Sequence, residues 1–118
     1  MTDVTLPNTF VSAGVAPSTT DRTDIYECPN NFKGILRYAT LANTSNSTSS
    51  GKLEWYDSSE TTYYALCGNL GLAGDAHEDF TNLYIVLDSG DKITVTAGNA
   101  DRINAVVGVE LVYNPLLS

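Results

Sequence analysis

From Thr23 onward, apolar and polar residues alternate in short runs broken by turn-forming residues, and that period decides the fold class. Successive side chains of a strand point to opposite faces, so an apolar residue at every second position marks one buried face. The clearest run is Lys92–Ala97, where Ile93, Val95 and Ala97 alternate with Lys92, Thr94 and Thr96. Asn104–Tyr113 puts Ala105, Val107, Val109 and Leu111 on one face. Its other face carries Val106, Gly108, Glu110 and Val112, which is too apolar for a fully wetted surface. Lys52–Asp57 places Leu53 and Trp55 inward and Glu54 and Tyr56 outward. Further strands are expected at Thr23–Cys28, Gly34–Asn43, Thr61–Cys67 and Leu83–Asp88, with a short one near Asn69–Ala73. These segments are rich in Val, Ile, Thr and Tyr, which suit a pleated, half-buried surface.

Helix is excluded as an organising element, because no stretch of ten or more residues keeps a 3.6-residue period. Gly74–Thr81 is expected to be a loop with one helical turn at most. Turn chemistry fills the gaps: Pro29-Asn30-Asn31, the Ser/Thr/Asn run from Asn43 to Gly51, Asp57–Glu60, Asp88–Asp91 and Gly98–Asp101. Short strands with regular turns predict an all-β antiparallel β-sandwich, jelly-roll or immunoglobulin-like, of seven or eight strands. Its expected core includes Leu53, Trp55, Ile93, Val95, Val107 and Val109.

Residues 1–22 lack this pattern. They hold two of the four prolines and many Thr, Ser and Asn. The reading is an extended N-terminal arm over 1–22 and a sandwich domain over 23–118. Leu6, Phe10 and Val11 are the arm's candidate contacts with a neighbouring subunit.

Charge restricts the partners. Six Lys and Arg stand against 14 Asp and Glu, a net −8. No two of the six cations are adjacent, so the clusters that neutralise phosphates are missing. Nucleic acid and anionic membrane are not expected partners. No apolar run approaches the ~18–20 residues of a membrane helix. The first residues lack a secretory signal's basic patch and apolar core. Cys28 and Cys67 are therefore expected as free thiols.

Catalytic signatures are sparse. His77 is the one histidine, in the acidic run Asp75-Ala76-His77-Glu78-Asp79. A zinc site needs three or four ligands at set spacings, and an EF-hand loop needs alternating oxygens around a mid-loop Gly. Neither pattern is present, so no metal and no cofactor is expected. Cys67 with His77 lacks the local signature of a nucleophile pair. Phosphate-loop, GxSxG and HExxH motifs do not occur, and the chain is read as non-enzymatic. The two Asn-x-Ser/Thr matches, at Asn43 and Asn46, sit in a Ser/Thr/Asn-rich loop and are read as compositional. Tyr56, Tyr63 and Tyr64 flank one hairpin beside Trp55. They fit a protein interface, glycan stacking, or cross-strand pairing that stabilises the hairpin.

The stretch Ile35–Asn43, a polar loop, then Leu53–Ser59 resembles small virion structural proteins of tailed bacteriophages, possibly cyanophage-like. Leu87–Val95 is similar to their "L-x-x-GD-x-I-x-V" element, and Val106–Leu111 also fits. The likeness spans about residues 23–113 and omits the arm. It implies a β-sandwich displayed on the virion as a decoration or cement protein, assembled in the host cytoplasm. It implies the major capsid protein or another virion protein as partner, and a homotrimer on threefold sites. The alternative is a neck, tail or fibre component whose sandwich binds a carbohydrate or receptor.

Overall fold

The computed structural model describes residues 9–115. Among them nine strands form two packed antiparallel sheets, and no α-helix occurs. In chain order the strands are β1 (Thr9–Val15), β2 (Thr23–Glu27), β3 (Phe32–Asn43), β4 (Ser49–Asp57), β5 (Thr62–Leu72), β6 (His77–Phe80), β7 (Ile85–Leu87), β8 (Lys92–Ala97) and β9 (Ile103–Tyr113). One sheet runs β1-β9-β3-β6, with β7 also on β3; the other runs β2-β8-β4-β5. β6 pairs with Ala39–Ala42 and β7 with Gly34–Leu36. They are two pieces of one edge strand, broken opposite a bulge at Arg37. Leu83 N–H donates to the Arg37 carbonyl across the break, at 3.3 Å.

With β6 and β7 counted as one, eight strands pair first with last, second with seventh, third with sixth and fourth with fifth. That is a long hairpin wrapped into two sheets, a jelly roll. The sandwich expected from alternation is present, and its strand order selects the jelly roll over the immunoglobulin arrangement.

The core lies where the alternation put it. Leu53, Ile93, Val95, Val107 and Val109 are buried, joined by Leu36, Leu41, Leu87 and Ile103. Trp55 corrects the expectation. It faces inward but is only half-buried, packed against the margin of the core. Its ring stacks on Tyr64 at 5.4 Å, and its Nε1–H donates to Asp91.

Three other segments differ from expectation. Residues 9–15 of the expected arm are the first strand, paired residue for residue with β9, so the sandwich begins before Thr23. Their signal is weak because Phe10 puts an apolar ring on the outward face next to Val11, and Ala13 and Gly14 are small residues of low strand preference. Leu6 lies outside the described residues. The acidic run expected as a loop contains β6, whose charges an edge strand tolerates because one side faces water. Residues 61–73 hold one long strand, not two, and bulges absorb the irregularity.

Candidate interaction surfaces

Six large hydrophobic residues are exposed on or beside the β1-β9-β3 sheet: Phe10, Tyr38, Tyr84, Val86, Val106 and Tyr113. On the other sheet, among the described residues, only Tyr64 is comparable. Register explains the grouping. One outward row runs Phe10, Glu110, Ile35, Val86 across four strands, and the next runs Ser12, Gly108, Tyr38. Phe10 is 71% exposed and Tyr84 67%.

Charges on this face are paired among themselves. Arg37 Nε lies 3.7 Å from Glu110 Oε1, and its guanidinium stands over the Tyr84 ring at 5.5 Å. Asp79 accepts from Thr40 Oγ1 at 2.7 Å and from Tyr38 Oη at 3.4 Å. An aromatic surface whose charges are already engaged loses little on desolvation, as interface cores require. The apolar second face of β9 was the sequence signal for this surface. Ile35, Tyr84 and Val86 were missed, since their place beside β9 depends on pairing register.

The sequence-derived candidates do not form one patch. Phe10 points outward, whereas Val11 packs against the core of its own chain. Tyr56 and Tyr63 pair across the β4–β5 hairpin with centroids 4.6 Å apart. Arg22 covers the Tyr63 ring at 3.6 Å while its Nε donates to Glu54 at 3.0 Å. That hydrogen bond raises the Arg22 pKa and holds its charge over a carboxylate that is only 7% exposed. Tyr64 sits at the adjacent position, on the opposite face, against Trp55. Its hydroxyl donates to Glu60 at 2.7 Å, which raises its pKa. All three tyrosines are thus engaged within the chain, and Tyr64 is the most exposed of them.

His77 is exposed on β6, with Nε2 3.7 Å from Asp79 Oδ2. Among the described residues, no group of three His, Cys, Asp or Glu could hold a metal ion. Cys28 and Cys67 are free thiols. Burial and the nearby Asp91 push the Cys28 thiol up to about 11, so it is a poor nucleophile at neutral pH. Asn43 is buried, and its side-chain nitrogen is spent on the carbonyls of Ser47, Leu72 and Ala73. It anchors the polar loop from within and is closed to glycosylation.

No protein-family model and no curated protein matches the chain. Solved structures do. A chain from the acid-stable capsid of Helicobacter pylori bacteriophage KHP30 aligns over 95% of this chain and 91% of its own, at 15% identity and a TM-score of 0.53. A mutant VP2 protein of infectious bursal disease virus aligns over 98% of this chain and 34% of its own, at 10% identity and a TM-score of 0.51. A chain from the disulfide-linked pili of Bacillus endospore appendages aligns over 97% of this chain and 96% of its own, at 13% identity and a TM-score of 0.47. The likeness is one of fold. At these identities the phage capsid chain and VP2, both above a TM-score of 0.5, share the sandwich with this chain, and function is left to the surfaces.

Proposed function

We propose that this chain is a structural protein of a phage virion that decorates the head, holding the outer face of its β1-β9-β3 sheet against the shell. The observation that carries the reading is the gathering of exposed aromatic and branched side chains on that one sheet. Contiguous exposed apolar surface on a small domain marks a binding face. The fold shared with a phage capsid chain over nearly the whole of both chains supports the same reading. The major capsid protein is the partner, and homotrimers occupy threefold sites, where closed symmetry gives each copy the same contact.

Particles that lack the protein provide the test. Wild-type chain should bind them and raise their thermal stability. Tyr84→Ser with Val86→Ser should weaken binding about a hundredfold, since interface anchors contribute about 2 kcal/mol or more. Both side chains are exposed, so the fold should not suffer. Undiminished binding would remove this face from the reading. Tyr64, partly exposed and stacked on Trp55, favours a second reading as a glycan-binding tail or fibre module. Glycan binding that is lost in Tyr64→Ala would establish it.

A further inference from the structure

We infer that β1 is a self-association edge: two copies pair antiparallel along Thr9–Val15 about a twofold axis at Ser12, each laying Phe10 beside the other's Gly14. The contact shares Phe10 and Val106 with the face proposed for the shell, is distinct from the threefold contact, and needs no particle to form.

The four edges of the sandwich differ in how they resist pairing. Open edges are ordinarily blunted by charge, bulges or brevity. β2 carries Asp24 and Glu27 and a register shift. β5 is interrupted by two register shifts. β6 and β7 have four and three residues, with Glu78 and Asp79 on the first. β1 has none of these protections. Its sequence, TFVSAGV, contains no charge and no proline, and it pairs with β9 without a shift over seven residues. No other strand among the described residues pairs with its second side. In a chain of net −8, a charge-free edge lets a second copy approach without opposing like charges.

The side chains on this edge complement their own image. A twofold axis at Ser12 sets Phe10 opposite the second copy's Gly14, Val11 opposite its Ala13 and Thr9 opposite its Val15. On the outer face a large ring therefore meets a residue with no side chain. A shallow hollow of about 290 Å³ adjoins that glycine, lined by Gly14, Val15, Ala16, Asn104, Ala105 and Val106. It has room for a phenyl ring. A Cβ at Gly14 would stand 3.3 Å from Val106 Cγ2, so a side chain there would crowd the hollow. Phe10 and Val106, both exposed in the single chain, would cover each other across the axis. One strand pair of seven residues a side with two rings is a smaller contact than the ~1,200–2,000 Å² of a stable complex. The pairing is therefore a reversible dimer in solution, and it persists where copies are held side by side.

Cross-linking tests it. Residues directly opposite in an antiparallel pair have Cα atoms about 4.5–5.5 Å apart, within disulfide range. In a Cys67→Ser chain, Ser12→Cys should oxidise to a disulfide-linked dimer about tenfold faster than Thr48→Cys, an exposed loop control, because pairing raises the local thiol concentration. Adding Phe10→Ser should return the rate to that of the control with the circular dichroism unchanged. Ser12→Lys, which sets like charges face to face, should move the wild-type dimer to monomer in sedimentation. Equal rates for Ser12→Cys and Thr48→Cys would overturn the proposal. An unchanged rate with Phe10→Ser would overturn the docking of the ring.

Discussion

A single carboxylate closes one end of the sandwich. Asp91 is 1% exposed and accepts from Ser58 N–H at 3.0 Å, Ser58 Oγ at 2.8 Å, Asp88 N–H at 3.0 Å and Trp55 Nε1 at 3.3 Å. It ties the β4–β5 turn to the β7–β8 turn, where Gly90 takes a φ of 89° that a side chain would resist. Asp91→Ala would take from those part-buried donors the acceptor they share. The expected loss is about 3–4 kcal/mol, since hydrogen bonds to a charged group contribute about 1.5–3 kcal/mol and orphaned donors add their own cost. Urea titration measures it. Cys28, whose backbone N–H donates to the Asp91 carbonyl, adds a pH dependence. Its folded-state pKa of about 11 lies above its ordinary value of 9.0. A raised pKa means that the folded chain holds the proton longer than the unfolded one. The thiol's contribution is thus complete below pH 9 and is lost as pH rises toward 11. Stability in urea should fall across that window, and Cys28→Ala should flatten the fall.

At the scale of elements, β1 separates an arm from a strand. Val11, Ala13 and Val15 pack against the core, and β1 occupies the whole β9 edge from Ala105 to Leu111. Deleting residues 1–15 should cost at least about 3 kcal/mol, because two valines leave the core margin at ~1.5–3 kcal/mol for full burial and the ladder is lost as well. A truncated chain with unchanged urea midpoint would mean that β1 is only a passenger on β9. The same strand shows what a sequence can carry. β8 was readable to the residue because it is a central strand, with Ile93, Val95 and Ala97 all buried. β1 was not, because an edge strand needs only half its face apolar and small residues satisfy the rest. β6 was hidden by its charges, which suit an edge and mimic a loop. Asp91 looked like any turn aspartate beside Asp88, since its depth is set by a turn thirty residues earlier in the chain. The outward apolar positions of β9 were legible, while Ile35, Tyr84 and Val86 joined them only through pairing register.

At the scale of the whole molecule, net charge and apolar contacts pull in opposite directions, and salt distinguishes them. Each copy carries −8, so two copies repel through solvent whatever holds them together. The Debye length shrinks from ~10 Å at 0.1 M salt to ~3 Å at 1 M, which removes most of that repulsion. Apolar contact and backbone pairing along β1 involve no charge, so screening leaves them intact. Self-association should therefore strengthen as salt rises, the reverse of a contact built on ion pairs. The cations that could build such a contact are largely engaged at home: Arg22 with Glu54, Lys33 with Asp88, Arg37 with Glu110, and Lys92 with Asp24 and Glu27. Sedimentation equilibrium of the wild-type chain across this salt range is the measurement, with Ser12→Lys beside it. The wild-type dimer fraction should rise, and the lysine variant should stay monomeric at low salt and recover in part at high salt, where its two opposed charges are screened. A wild-type dimer that dissolves on adding salt would place the contact at charged side chains and away from β1.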